Sequence, residues 1–175
     1  MYIIQPLLTF LLLTLTTSTP IPAHLTRDAT AVVNDLSKIT TDLSTLTQSI
    51  VAYNGGIPAA LDIQVKETAV ERDLEQATRD TTAATPFTVD ESATTTKALL
   101  GLEPDIRTAL VTLKPLVDEV RIGAIVRMNL VNLRAKTGTL STALQNKATA
   151  VDKDTLATKT TELNAGFDTA IQAYS

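Results

Sequence analysis

The chain has 175 residues, which favours a single domain, and its 44% hydrophobic content is sufficient for a packed core. A formal net charge of -4, with no cluster of Lys and Arg, argues against a nucleic-acid-binding surface. The absence of Cys excludes disulfides and thiolate sites, and the aromatic content of 3% favours helices filled with aliphatic side chains over sandwiches or barrels.

The first residues carry an apolar run with the length of a secretory signal peptide. The run extends from Leu7 to Leu15, is too short to span a bilayer, and is followed by small residues at Thr16 and Ser18. We therefore expect residues 1–19 to be a signal peptide, residues 20–26 a flexible leader, and residues 27–175 a helical bundle. The expected location is outside the cell, either free or at the cell wall.

A helical period dominates from the leader onward. In the first predicted helix, apolar residues alternate steps of four and three and so share one face. Asn54-Gly55-Gly56 is predicted to end this helix, because consecutive glycines resist helix continuation. The residues of this apolar stripe are Val32, Leu36, Ile39, Leu43, Leu46, Ile50 and Tyr53.

The second predicted helix begins at Pro58 and ends before Pro86. Its apolar face is predicted to consist of Leu61, Val65, Ala69, Leu74 and Ala77. Three glutamates at four-residue steps could suggest a carboxylate site, but solvated like charges relieved by arginines explain them more simply. These glutamates are Glu67, Glu71 and Glu75, and the arginines are Arg72 and Arg79.

Thr88 and Glu91 have the spacing of a capping box and predict the start of a third helix, whose inward residues include Ala93, Leu99 and Leu100. Gly101 and Pro104 are expected to interrupt that helix near Leu102. The stripe then resumes toward Val120 with a kink at Pro115, and a long helix carries apolar residues from Ile122 to Leu144. A turn near residues 148–151 precedes a last helix that presents Leu156, Leu163, Phe167, Ile171 and Tyr174. The prediction is an all-α fold, a single antiparallel bundle of about five helices.

Residues suited to catalysis or metal binding are scarce. His24 is the only histidine, so neither a Ser/His/Asp triad nor a two-histidine metal site can form. Asp152 and Asp154 lack the other ligands of a calcium loop and are interpreted as acidic residues at a helix N-terminus. We predict no enzyme activity, no cofactor and no metal.

The side chains of the predicted interior are small, because Ala and Thr occupy many inward positions and aromatic rings are rare. Either the helices approach one another closely or they leave a central apolar tunnel, and a dry apolar cavity is a natural ligand site. The predicted lining is Leu36, Leu43, Leu46, Ile50, Leu110, Leu113, Val117, Val126, Leu130, Leu133, Phe167 and Ile171. Candidates for binding a polar head group are Ser37, Thr40, Ser44 and Thr47, or else a basic residue among Lys114, Arg121 and Arg127.

The order of these elements resembles the fungal hydrophobic surface binding protein A family, also called cell wall galactomannoproteins. The resemblance is carried by Ile50-Val51-Ala52-Tyr53-Asn54-Gly55-Gly56, by Ala59 to Ile63, and by Pro86-Phe87-Thr88-Val89-Asp90-Glu91-Ser92. It continues from Leu110 to Leu144. The family has no short functional signature, so the resemblance supplies no site residues.

The resemblance implies a helical bundle that is exported to the cell wall or medium and binds hydrophobic surfaces or fatty acids; some members are lipid-scavenging virulence factors. The leading hypothesis is therefore a non-catalytic, lipid-binding carrier of long-chain fatty acids, a monomer or a lipid-linked dimer. The alternative is an adhesive cell wall protein that binds hydrophobic surfaces and recruits a hydrolase. The chain contains no Asn-x-Ser/Thr sequon, so a mannoprotein would carry its sugars on Ser or Thr.

Overall fold

A computed structural model describes residues 27–113 and 123–174, and these residues form five α-helices without a strand. The helices are α1 (Arg27–Val51), α2 (Ile57–Ala83), α3 (Val89–Leu113), α4 (Gly123–Lys147) and α5 (Ala150–Ala173). The predicted all-α fold is confirmed. The expected signal peptide, the leader with His24 and the expected kink at Pro115 lie outside the described residues.

The five helices form a closed ring. Each helix packs mainly against two others, and the order around the ring is α1, α2, α4, α5, α3 and back to α1. The buried side chains of all five helices form one hydrophobic core at the centre of this ring. Within the described ranges, no helix combines the length and apolar character needed to cross a membrane.

The apolar stripe of α1 is buried as predicted. All of its residues from Val32 to Ile50 are at most 6% exposed, and Tyr53 is half-buried. The helix ends at Val51, and both Gly55 and Gly56 take positive φ angles of 94° and 89°. Because non-glycine residues rarely adopt such angles, the two glycines define the sharp turn into α2.

The predicted apolar face of α2 is wrong in its first half. Leu61 and Val65 were expected to face inward, but they are 55% and 68% exposed. The inward face runs instead through Ile63, Glu67, Val70, Leu74, Ala77 and Thr81. These residues also follow steps of four and three, so the geometry of the helix is regular and a buried acid occupies one position of its core stripe.

The expected interruption of the third helix near Leu102 is also wrong. Helix α3 continues through Gly101 and Pro104 to Leu113. Leu102 and Ile106 are buried on either side of the proline, which is itself exposed. Burial of this face offsets the backbone hydrogen bond that the proline removes. Ala93, which was expected to face inward, is exposed, and Ser92, Thr95 and Thr96 are buried there instead.

Polar contacts tie together the end of the bundle that holds the α2–α3 and α4–α5 connections, which we call the closed end. The capping box is confirmed, since the Thr88 amide donates to Glu91 Oε2 at 2.9 Å. Phe87 N donates to the Lys147 carbonyl at 2.9 Å, and Lys147 Nζ donates to the Ala84 carbonyl at 2.5 Å. The opposite end, where α1 turns into α2 and α4 begins, is called the open end.

Candidate functional site

The centre of the ring contains an apolar cavity to which every helix contributes. Its space, counted to the atom surfaces and including its opening, is about 570 Å³. Thr137 is the single polar residue in its wall. The wall consists of Ile39, Leu43, Leu46, Val70, Leu74, Leu99, Leu102, Ile106, Ala109, Leu110, Leu130, Leu133, Thr137, Leu140 and Phe167. We call this space the central cavity.

Two further cavities continue from the central cavity toward the open end. The inner cavity, about 330 Å³, shares Leu46, Leu130 and Leu133 with the central cavity. Its other wall residues are Ile50, Ile63, Glu67, Val126 and Asn129. The mouth cavity, about 830 Å³ including open space, shares the last four of these and adds Tyr53, Ile57, Ala60, Leu61, Gln64 and Ile125.

The three cavities therefore lie in a row between the open end and the middle of the bundle. Along α1 the row extends from Ile50 back to Ile39, which corresponds to about 17 Å of helix at about 1.5 Å per residue. Shared side chains, such as Leu46 and Leu133, separate one cavity from the next. A ligand that occupies the whole row would have to displace these side chains.

A carboxyl group and an amide, those of Glu67 and Asn129, lie at the boundary between the inner and mouth cavities. Glu67 is 7% exposed, and its Oε2 accepts a hydrogen bond from the side-chain amide of Asn129 on α4. Its second oxygen, Oε1, is buried without a hydrogen-bond partner. Burial, together with the negative charge of Glu71, raises the pKa of Glu67 to about 7. At neutral pH the carboxyl group is therefore partly protonated, so it can either donate or accept a hydrogen bond.

The neighbouring glutamates are held by a cation from another helix. Lys136 of α4 pairs with Glu71 at 3.5 Å and with Glu75. The interpretation of Glu67, Glu71 and Glu75 as solvated neighbours relieved by arginines is therefore wrong for Glu67, which is buried, and incomplete for the other two. No group of three His, Cys, Asp or Glu that could hold a metal ion occurs in residues 27–113 and 123–174.

The structure brings most of the predicted lining residues together. Those in the wall of the central or inner cavity are Leu43, Leu46, Ile50, Leu110, Val126, Leu130, Leu133 and Phe167. Leu36 is buried in the core away from these walls, and Ile171 is half-buried. Val117 lies outside the described residues, as does the side chain of Leu113.

The predicted head-group residues that the structure describes do not lie in the walls of the three cavities. Ser37 donates to the Val33 carbonyl at 3.0 Å, and Thr40 and Thr47 donate to the carbonyls of Leu36 and Leu43. Ser44 is exposed, and so is Arg127. Lys114 and Arg121 are outside the described residues. The polar groups at the boundary of the inner and mouth cavities are Glu67, which the sequence interpretation took as solvated, and Asn129, which it did not single out.

Comparison with known proteins places the chain among proteins of one fold. Residues 29–146 match the family described as hydrophobic surface binding protein A. A crystal structure of AfMp4p in complex with palmitic acid is 42% identical in sequence and superposes with a TM-score of 0.82, covering 84% of this chain and 99% of that one. A comparison with curated proteins found no match.

Two more distant solved structures share the fold. Ligand binding domain 1 of the Penicillium marneffei MP1 protein, complexed with arachidonic acids, has 18% identity and a TM-score of 0.78. Domain 2 of the same protein, complexed with multiple arachidonic acids, has 17% identity and a TM-score of 0.79. These alignments cover 85% and 87% of this chain and 99% of each domain.

Proposed function

The chain belongs to the hydrophobic surface binding protein A family, and on that premise we propose that it is a secreted, non-catalytic protein that binds long-chain fatty acids in the apolar space inside its helical ring. The observation that carries this proposal is the central cavity, whose wall is apolar except for Thr137 and draws on all five helices. The palmitic acid bound to AfMp4p supports the same ligand class.

The length and chemistry of the row of cavities suit a single long acyl chain. Ligand sites are lined mainly by apolar side chains, and so are the central and inner cavities. Burying about fifteen methylenes contributes roughly 12 kcal/mol, at about 0.8 kcal/mol each, before a loss of about 4 kcal/mol or more through immobilisation. Micromolar or tighter binding is thus attainable from apolar contacts alone. The flexible Leu side chains between the cavities provide the adjustment that such a chain needs.

The same proposal includes export of the protein from the cell and the absence of catalytic activity. Residues 1–19 have the sequence pattern of a signal peptide, and residues 20–26 form the expected leader before the bundle. The groups in the cavity walls are apolar side chains with a hydroxyl, amides, one phenol and one carboxyl group. This set suits binding of a lipid rather than chemistry on it. We propose that the protein acts as a monomer or as a lipid-linked dimer, outside the cell or at the cell wall.

Native mass spectrometry tests this function directly. The chain from residue 20 onward is expressed, stripped of lipid, incubated with palmitic acid and analysed under non-denaturing conditions. We expect a complex heavier by the mass of palmitic acid, and lipid extraction of the unstripped protein is expected to release acyl chains. A protein that remains free of lipid in both experiments would contradict the proposal.

A second candidate function is binding to extended hydrophobic surfaces, with recruitment of a hydrolase to them. It is favoured by a set of exposed apolar side chains around the open end, which we call the apolar rim: Ile57, Leu61, Val65, Ile125 and Met128. Ile57, for example, is 77% exposed. Patches of this kind commonly mark surfaces that bind a partner.

Adsorption to polystyrene beads tests the second function. We expect the double variant Ile57→Ser/Leu61→Ser to adsorb less than the unmodified chain. The matched control is Val89→Ser/Val151→Ser, which removes two apolar side chains, 71% and 78% exposed, from the closed end; Ile57 and Leu61 are 77% and 55% exposed. Equal loss of adsorption in both variants would argue against a surface-binding role for the rim.

A further inference from the structure

Glu67 occupies a position in the α2 core stripe where an apolar residue would be expected. A buried carboxyl group costs free energy unless its oxygens are paired, and an ionised one costs more. Only Oε2 has a partner, the Asn129 amide, whereas Oε1 is buried and unpaired. Both residues lie in the walls of the inner and the mouth cavities. The unsatisfied oxygen is thus located at the point where a ligand would pass from the open end into the interior.

The surroundings of this pair are purely apolar on the interior side and mixed on the outer side. Toward the central cavity the inner cavity presents Leu46, Leu130 and Leu133. Toward solvent the mouth cavity adds the phenol of Tyr53 and the amide of Gln64 among the apolar side chains Ile57, Ala60, Leu61 and Ile125. An amphiphile with its acyl chain in the interior would therefore place its head group beside Glu67 and Asn129.

We propose that Glu67 and Asn129 bind the polar head group of the ligand, and that a fatty acid is held there with one proton shared between its carboxyl group and that of Glu67. This inference rests on the proposed function and adds a subsite to it. The Asn129 amide supplies one donor, and the protonated Glu67 supplies another to the ligand carboxylate. An oxygen of the ligand carboxyl group in turn pairs with Glu67 Oε1, which otherwise has no hydrogen-bond partner.

The charges around Glu67 determine how this subsite responds to pH. On α2 itself, Glu71 raises the pKa of Glu67, in the same direction as burial. From α4 the nearest contact is the neutral Asn129 amide, and Lys136 is occupied by Glu71 and Glu75. From the turn after α1 the mouth cavity receives the phenol of Tyr53. Among the described residues none of these supplies an unpaired cation to Glu67. Two ionised carboxylates would therefore repel each other, and binding to ionised Glu67 takes up one proton.

The test compares two ligands that differ only in their head group, palmitic acid and hexadecanol, across a range of pH. With the lipid-free chain, we expect the affinity for palmitic acid to fall about tenfold for each pH unit above about 7, as one linked proton requires. The affinity for hexadecanol is expected to change less than threefold, because its hydroxyl can donate to an ionised Glu67. This contrast separates titration at the subsite from general loss of the fold at high pH.

Substitutions assign the effect to the two residues. In Glu67→Gln the amide donates at every pH, so the affinity for palmitic acid is expected to be flat from about pH 7 to 9 and higher than that of the unmodified chain at about pH 9. Asn129→Asp replaces a donor with an acid and is expected to weaken palmitic acid binding at least tenfold at neutral pH. The control Gln48→Ala, on the exposed side of α1 and outside the walls of the three cavities, is expected to change affinity less than twofold.

The outcomes separate this inference from the function on which it rests. If palmitic acid binds but Glu67→Gln retains the pH profile of the unmodified chain, or Asn129→Asp binds as well as that chain, the subsite is wrong and the carrier function stands. If the unmodified chain binds neither palmitic acid nor hexadecanol at any pH, the proposed function itself fails.

Discussion

The hydroxyl of Ser92 in α3 donates to Asp152 Oδ2 in α5 at 2.5 Å, although the two residues are separated by 60 positions in the sequence. Ser92 is 1% exposed, and its oxygen also accepts from the Thr149 amide at 2.9 Å. Asp152 lies in the first turn of α5, where a negative charge opposes the helix dipole. The predicted role of Asp152 as an N-terminal acid is confirmed. This network ties α3 to α5 at the closed end of the bundle.

Replacement of Asp152 by Ala should destabilise the fold without changing lipid binding. The substitution leaves the buried Ser92 hydroxyl without its acceptor and removes a favourable charge at the α5 N-terminus, so we expect a loss of about 1–3 kcal/mol in the free energy of unfolding. Urea denaturation measures this loss. Asp154→Ala, on the exposed side of the same helix, is the control and should change stability by less than about 0.5 kcal/mol.

A bulky side chain at Leu133 should obstruct the row of cavities. Leu133 lines both the central and the inner cavity, so Leu133→Trp fills the space between them. We expect palmitic acid affinity to fall at least tenfold, with an overpacking cost of about 1–3 kcal/mol in stability. Titration with palmitic acid measures the affinity. Val131→Trp, two residues earlier and exposed, should bind normally, and equal affinity in the two variants would exclude a ligand at this position.

The buried carboxyl group of Glu67 should make the fold less stable as pH rises. Its pKa is raised from an ordinary 4.5 to about 7 in the folded chain, so its stabilising effect is complete below about pH 4 and is lost as pH rises through 7. Glu67→Gln does not titrate. Relative to the unmodified chain, its free energy of unfolding should therefore increase by up to about 3 kcal/mol between about pH 4 and 8, at about 1.4 kcal/mol per pKa unit. A constant difference across this range, in urea titrations, would contradict the assignment.

Replacement of Gly56 and of Gly101 by alanine should change the stability of the fold in opposite directions. Gly56 has φ 89° and ψ 158°, a conformation open essentially to glycine alone, so Gly56→Ala should destabilise the α1–α2 turn by about 1–3 kcal/mol. Gly101 lies within α3, and a Cβ there meets no atom within 4 Å. Gly101→Ala should therefore stabilise the protein by about 0.5–1 kcal/mol. Thermal unfolding of both variants tests the two signs together.

The parts of the fold that follow from local pattern were predictable. The stripe of α1, the Gly55-Gly56 turn and the Thr88–Glu91 capping box all depend on residues close in sequence, and each is confirmed. The continuity of α3 through Pro104 was not predictable in this way. It depends on burial of Leu102 and Ile106 against other helices, and such tertiary burial can exceed the local cost of a proline.

The candidate site was only partly predictable, because its polar residue interrupts the hydrophobic pattern. The predicted inward face of α2, through Leu61 and Val65, was chosen because it contains apolar residues alone. The true stripe includes Glu67 between Ile63 and Val70. The four- and three-residue spacing of the apolar residues in this stripe was the sequence signal that could have identified the inward face. Positions where a regular pattern admits one buried acid are expected to be functional, and here that position borders both outer cavities.

The crystal structure of the lipid-free chain after incubation with palmitic acid tests the central claim most directly. We predict an acyl chain inside the ring, in contact with Leu43, Leu133 and Phe167, with its carboxyl group toward the open end. A fully packed, ligand-free interior at saturating palmitic acid, or a fatty acid bound only on the outer surface of the bundle, would contradict this account.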